Sequence, residues 1–198
     1  MKNRFFHDEL PQALIAFFDL DETITDEDTD SLWASWRSRR HPKGWVESAW
    51  LSKLYRDFRK GGLNIEEYIR YQKFRIGSLT AGKFRAMGEE FFNDAGRHHV
   101  YREAADLVRR LKQTGCRVVL LTAQNECIAG PYARYLGMDH LIANRFQDDG
   151  VRFTNTVRPY SFGEGKVARG KVNAAECGVP LDRLAFFGAR LPDTPALA

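Results

Sequence analysis

Residues 14–18 of this chain read Leu-Ile-Ala-Phe-Phe, an unbroken apolar run, and the acids that follow fall at Asp19 and Asp21. A strand with one wetted face alternates polar and apolar residues, whereas an unbroken run suits a strand of a parallel sheet covered on both faces. In such sheets, ligands and reacting groups gather beyond the carboxyl ends of the strands. Asp19 and Asp21 stand there. Two acids at this spacing also occur in solvated loops and helix starts; the strand before them and Thr23 after them make the pair a candidate site.

Length and composition permit that architecture. A chain of 198 residues buries a full core and has room for one domain plus an insert. Cys116, Cys127 and Cys177 lack metal-ligand spacing, and an odd number of thiols suits a reducing, cytoplasmic compartment. The N-terminal MKNRFFHDELPQ has no long apolar core, and no later run approaches the roughly 18 residues of a membrane span, so neither export nor insertion is expected. The formal charge of +4 suits a phosphorylated substrate, but the Lys and Arg residues are dispersed among acids, which argues against a nucleic-acid groove.

Downstream, Thr25-Asp26-Glu27-Asp28-Thr29-Asp30 reads as a helix entrance, where acids and hydroxyls cap free amides. From about Ser31 to Gly96 the pattern is helical. Val46, Trp50, Leu54 and Phe58 form one stripe, Gly61-Gly62 breaks it, Asn64 with Glu67 opens a second helix, and Thr80 opens another. Such helices, inserted after the first strand, form a small bundle whose core takes Trp33, Trp36, Trp45, Trp50, Tyr68 and Tyr71. Arg70, Lys73 and Arg75 are the bundle cations from which one facing the site would come. His98 and His99 read as a solvated hinge.

The α/β pattern then resumes. A helix over Glu103 to Thr114 leads through Gly115 into a buried strand, Arg117 to Ala123, which brings Thr122 to its carboxyl end. Ala123, Gln124 and Asn125 follow, with amides and side chains suited to hold phosphate. A helix over Glu126 to Leu136, a strand near His140 to Phe146 and a hairpin turning at Asp149-Gly150 come next. Lys166, in Phe162-Gly163-Glu164-Gly165-Lys166-Val167, and Lys171 lie beyond, and Leu184 to Phe187 makes the last strand.

Phe17-Phe18-Asp19-Leu20-Asp21-Glu22-Thr23-Ile24-Thr25 resembles the first motif of the haloacid dehalogenase (HAD) superfamily, most closely its phosphoserine-phosphatase-like branch. The resemblance implies a Rossmann-like three-layer α/β core of mostly parallel sheet, spanning residues 1–30 and 101–198, with a helical cap over 31–100. It implies Mg²⁺-dependent hydrolysis of a small phosphorylated metabolite. Asp19 would be the nucleophile and Asp21 the general acid/base that lends its carbonyl to the metal. Thr122 and Ala123 would form the phosphate site, Lys166 would neutralise the transferred group, and one acid of Asp28 and Asp30 would meet a cationic part of the substrate. Glu22 departs from the glycine usual in the family.

The fourth motif departs further. Ala189 and Arg190 stand where the family has Asp and Ser, whereas Asp193 and Pro195 fit, so Asp193 would support the metal. Mg²⁺ takes one or two carboxylates with waters, so a site lacking one acid is weakened before it is abolished. The alternative is a catalytically impaired family member that binds a phosphorylated ligand or a protein. The motif also lies close to the last residue, Ala198, so either the sequence is shortened or the sheet ends early with the final strand at its edge.

Overall fold

The computed structural model describes residues 12–41, 43–59 and 64–188. The unbroken apolar run becomes strand β1 (Ile15–Phe18), buried along its whole length. It lies inside a parallel sheet whose order is β3-β2-β1-β6, with β2 at Arg117–Asn125, β3 at His140–Asn144 and β6 at Leu184–Phe187. Phe18 sits opposite Leu120 on one side and Phe187 on the other.

Period-two alternation sends the side chains of β1 into two separate apolar layers. Ala16 and Phe18 join Leu107, Val108 and Leu111 of helix α5 (Arg102–Gln113) and Ile128 of α6 (Glu126–Tyr135). Ile15 and Phe17 join Ala174 of α7 (Glu164–Glu176). Helices thus cover both faces, which is why β1 has no polar side. Phe18 and Phe187 stack at 4.5 Å between ring centroids, a pairing that contributes about 0.5–1.5 kcal/mol beyond area burial.

Among the described residues, four α-helices lie between β1 and α5: α1 (Thr29–Ser38), α2 (Gly44–Arg59), α3 (Ile65–Ile76) and α4 (Ala81–Asp94). Each of three caps is supplied by the residue type that favours it: Asp28 accepts from Ser31 N, Asn64 from Glu66 N and Glu67 N, and Thr80 from Lys83 N. Trp33 and Trp36 of α1 pack with Phe84 and Phe91 of α4 in the same apolar cluster as the sheet residues Phe18 and Leu120. A second cluster, Ala34, Leu51, Leu54, Tyr68, Ile69 and Tyr71, joins α1, α2 and α3. Where α4 crosses α6, a Cβ on Gly88 would lie 2.1 Å from the Cys127 carbonyl oxygen, so the crossing requires glycine.

The stripe expected on α2 is displaced. Val46 and Trp45 are 53% and 73% exposed, and the buried face runs through Glu47, Leu51 and Leu54. Glu47 is buried because its carboxylate accepts from Trp33 Nε1 at 3.3 Å and faces Arg37 Nε at 3.6 Å. An ion in the stripe hides the true period, and Trp45 falls outside the bundle core. Strand β2 runs two residues beyond Ala123, to Asn125. The Asp149-Gly150 turn joins β4 (Phe146–Asp148) to β5 (Phe153–Thr156), with Asp149 Oδ1 accepting from Val151 N and Arg152 N. Among the described residues, no helix is long and apolar enough to cross a membrane.

Candidate active site

Asp19 is the first residue beyond β1, and its N–H donates to Phe187 O at 2.9 Å, which ties the start of the acidic loop to the neighbouring strand. Its buried carboxylate meets the buried Lys166 ammonium, with Nζ 2.8 Å from Oδ1. Lys166 comes from the first turn of α7 and its Nζ lies 5.3 Å from the centroid of Phe186. Gly163 precedes that helix at φ 52°, and a Cβ on Gly165 would lie 2.2 Å from Tyr160 O, so two glycines let the lysine approach the sheet. Asn144, at the end of β3, braces this loop by donating to Ala123 O at 2.6 Å and accepting from Ser161 N at 2.8 Å.

Past Asp19 the chain turns sharply at Glu22, whose φ is 57°. A left-handed backbone favours glycine, which gives the family's usual residue at this position a physical reason. The turn brings Asp21 beside the start of α1, where its Oδ1 accepts from Thr29 N at 2.7 Å and Thr29 Oγ1 at 2.6 Å. Burial and the charges of Asp28 and Asp19 raise the Asp21 carboxyl well above the ordinary carboxylate range, against the lowering effect of the Thr29 hydrogen bonds. Two nearby carboxyls thus differ: one rests against an ammonium, and the other holds its proton more tightly.

Thr122 is buried in β2, and its hydroxyl accepts from Gln124 N at 3.0 Å, leaving its own hydrogen to donate. The side chains of Gln124 and Asn125 are committed elsewhere than to phosphate. Asn125 caps α6 by accepting from Cys127 N and Ile128 N, and Gln124 donates to Thr29 Oγ1 and Asp30 Oδ1, both at 2.9 Å. Asp30 also accepts from the Tyr68 hydroxyl at 2.7 Å and pairs with Arg75. These partners fill its carboxylate, so Asp30 and Arg75 leave the set of substrate-facing candidates. Arg70 and Lys73 are exposed on α3. Asp28 remains, half-buried, accepting from Ser31 N and from the Tyr55 hydroxyl, a proton that burial and Asp28 itself hold well beyond the usual tyrosine range.

The Asp19 carboxylate and the Asp21 carbonyl are hard oxygen donors, a chemistry that fits Mg²⁺ with waters completing its shell. Asp193, Ala189, Arg190 and Pro195 lie outside the described residues. Among the described residues, no group of three His, Cys, Asp or Glu is gathered for a metal.

The family model described as haloacid dehalogenase-like hydrolase matches residues 16–198. The chain belongs to the HAD family. A Mycobacterium tuberculosis protein named "Probable phosphatase" is 29% identical over 189 residues, covering 92% of this chain and 64% of that protein. The chain therefore spans about two thirds of that relative's length. The histidinol-phosphatase of Neisseria meningitidis is 25% identical over 192 residues, covering 92% and 85% of the two chains. A solved structure of a protein of unknown function from Bordetella pertussis is 31% identical, with a TM-score of 0.77 and coverage of 92% and 85%. A substrate-bound phosphoserine phosphatase structure has a TM-score of 0.64 at 17% identity, covers 90% and 78%, and shares the HAD fold.

Thr29 and Asn144 carry no local signal of a role at the site. Thr29 sits in a run that reads as ordinary capping, and its partner Gln124 is 95 residues away. Asn144 ends a short strand with no recognisable motif around it.

Proposed function

We propose that this chain hydrolyses a small phosphomonoester by way of a phosphoryl group carried on Asp19. The observation that carries the reading is the contrast between two neighbouring carboxyls: Asp19, 2.8 Å from Lys166 Nζ, and Asp21, raised well above the ordinary range. An ionised Asp19 suits attack, and a protonated Asp21 suits the leaving oxygen. In the first step an Asp19 oxygen bonds to phosphorus, the ester P–O bond breaks, and Asp21 gives its proton to the departing alkoxide. In the second step Asp21 takes a proton from water, the water oxygen bonds to phosphorus, and the bond to Asp19 breaks, releasing phosphate.

Lys166 offsets the negative charge that nucleophile and phosphate bring together, and the Thr122 hydroxyl with the Ala123 segment supports the phosphoryl oxygens. Mg²⁺, held by the Asp19 carboxylate and the Asp21 carbonyl with Asp193 in support, would supply Lewis-acid stabilisation of the phosphoryl oxygens. Helices α1 to α4 act as the cap and exclude water, with Asp28 just ahead of them at the N-cap of α1. The negative charge of Asp28 beside Asp21 suits a substrate with an ammonium or imidazolium near its phosphate, a class that includes the substrate named for the N. meningitidis relative.

The test is Mg²⁺-dependent hydrolysis of an aryl phosphate and of amine-bearing phosphomonoesters by the chain, Asp19→Ala, Asp28→Asn and Ala189→Asp. Turnover that disappears in Asp19→Ala, with Asp28→Asn raising KM for the amine substrates alone, supports the proposal. The rival reading, a silent binder, is favoured by Ala189 and Arg190 in the fourth motif. Turnover no greater than that of Asp19→Ala, with a gain on Ala189→Asp, would establish it.

A further inference from the structure

The residues behind Asp21 fix the orientation of its carboxyl through a chain of hydrogen-bond donors that begins at a helix end. Cys127 N and Ile128 N, at the start of α6, are backbone donors, so the atom of Asn125 that meets both at 3.1 Å is its oxygen. Asn125 then offers hydrogens from its backbone N and from Nδ2 to one atom of Gln124, both at 2.9 Å. Two donors converging on one atom require an acceptor, which makes it Gln124 Oε1. The nitrogen of the Gln124 amide consequently points the other way, 2.9 Å from both Thr29 Oγ1 and Asp30 Oδ1.

An amide nitrogen has two hydrogens and accepts none. Thr29 Oγ1 must therefore accept from Gln124, and its one hydrogen turns to Asp21 Oδ1 at 2.6 Å. With Thr29 N also donating at 2.7 Å, Oδ1 already receives two hydrogens, and the transferable proton is left to Oδ2. On the cap side, Arg75 and the Tyr68 hydroxyl hold the Asp30 carboxylate that anchors the second hydrogen of Gln124.

We propose that Gln124 is a positioning residue which, by offering Thr29 only hydrogens, commits the Thr29 hydroxyl to Asp21 Oδ1 and leaves Oδ2 as the oxygen that delivers the proton. The inference rests on the reading of Asp21 as general acid, and it adds the residues that aim it. The Gln124 side chain meets Thr29, Asp30 and Asn125. It acts through Thr29.

The experiment compares kcat/KM, which reports the steps through phosphoryl transfer to Asp19, for an alkyl phosphate and for 2,4-dinitrophenyl phosphate. The alkoxide needs a proton as it departs, whereas dinitrophenolate does not. Gln124→Met lowers the alkyl value by about 10- to 100-fold, a part of the full general-acid contribution, and leaves the dinitrophenyl value within about 3-fold. Thr29→Val does the same, Thr29→Ser keeps the hydroxyl and the wild-type ratio, and Gln124→Met adds less than about 3-fold in the Thr29→Val background, as expected for residues acting as one unit. Equal losses on both substrates, or multiplying effects in the double variant, overturn the proposal.

Proton NMR provides a readout that needs no turnover. The wild type shows a slowly exchanging Thr29 hydroxyl proton with a nuclear Overhauser contact to a Gln124 side-chain amide hydrogen, and Gln124→Met loses that proton to solvent exchange. Its unchanged persistence in Gln124→Met overturns the proposal. If the wild type is no more active than Asp19→Ala, the phosphatase reading falls while the NMR arm still decides the orientation of Thr29.

Discussion

Replacing Arg75 with Met tests the buried polar network that joins α3 to the start of α1. The Arg75 side chain is fully buried, pairs with Asp30, and lies 5.1 Å from the Trp33 ring centroid and 5.3 Å from that of Tyr71. Met keeps much of the apolar volume but removes the charge. The Asp30 carboxylate would then rest on two neutral donors, Tyr68 and Gln124. Breaking a buried ion pair from one side costs about 3–5 kcal/mol. At a urea dependence of roughly 2 kcal/mol per molar, the unfolding midpoint falls by about 1.5–2.5 M. Adding Asp30→Asn removes the orphaned charge, so the double variant recovers at least about half of the loss. Urea unfolding followed by circular dichroism measures both. A loss below about 1 kcal/mol for Arg75→Met, or a double variant no more stable than the single one, would refute the reasoning.

Asp21 gives a pH prediction. Its folded-state pKa is raised, so the folded chain binds more protons than the unfolded chain between the ordinary value and the folded one, and the destabilising charge is present above that window. In metal-free buffer, Asp21→Asn is therefore more stable than the wild type at pH 8, and its advantage shrinks as pH falls toward 4; a pH-independent difference in thermal midpoint contradicts this. Glu22→Gly relieves a left-handed backbone, and after the greater freedom that glycine gives the unfolded chain, the net gain is about 0.5–1 kcal/mol in urea unfolding. Gly88→Ala, despite alanine's better helix propensity, loses about 1–3 kcal/mol because the new methyl meets the Cys127 carbonyl oxygen; a stabilised variant would mean that α4 and α6 do not cross so closely.

The parts of the fold visible in the sequence are those dictated by local chemistry. An unbroken apolar run before two acids announced β1 and the mouth of the sheet, Asn64 and Thr80 announced helix starts, and Asp149-Gly150 announced the hairpin. Asp19 and Lys166, 147 residues apart, stand in segments that resemble motifs of one family, and the geometry brings them to 2.8 Å. What stayed hidden depends on tertiary partners. Glu47 reads as a surface acid until Trp33 and Arg37 surround it, so the sequence places the stripe on α2 through Val46. Asp30 and Asp28 are equivalent in sequence, and partners far along the chain, Tyr68, Arg75 and Gln124 on Asp30, separate them. Gln124 reads as a phosphate-loop amide because nothing local shows Thr29 beside it.

The phosphoryl group on Asp19 is tested most directly by rapid acid quench of a single turnover, with enzyme in excess over phosphomonoester, followed by peptide mass spectrometry. Direct attack by water and attack on a phosphoryl group held by Asp19 both place one solvent oxygen in the product phosphate, so isotope content of the product does not separate them. The discriminating reading is therefore the intermediate itself: acid quench at early times, then mass analysis of the peptide containing Asp19. The account predicts a phosphoryl group on that peptide which forms and decays at the rate of turnover and is absent from Asp19→Ala. Turnover with unmodified Asp19 at every time point, or the phosphoryl group on another residue, would contradict it.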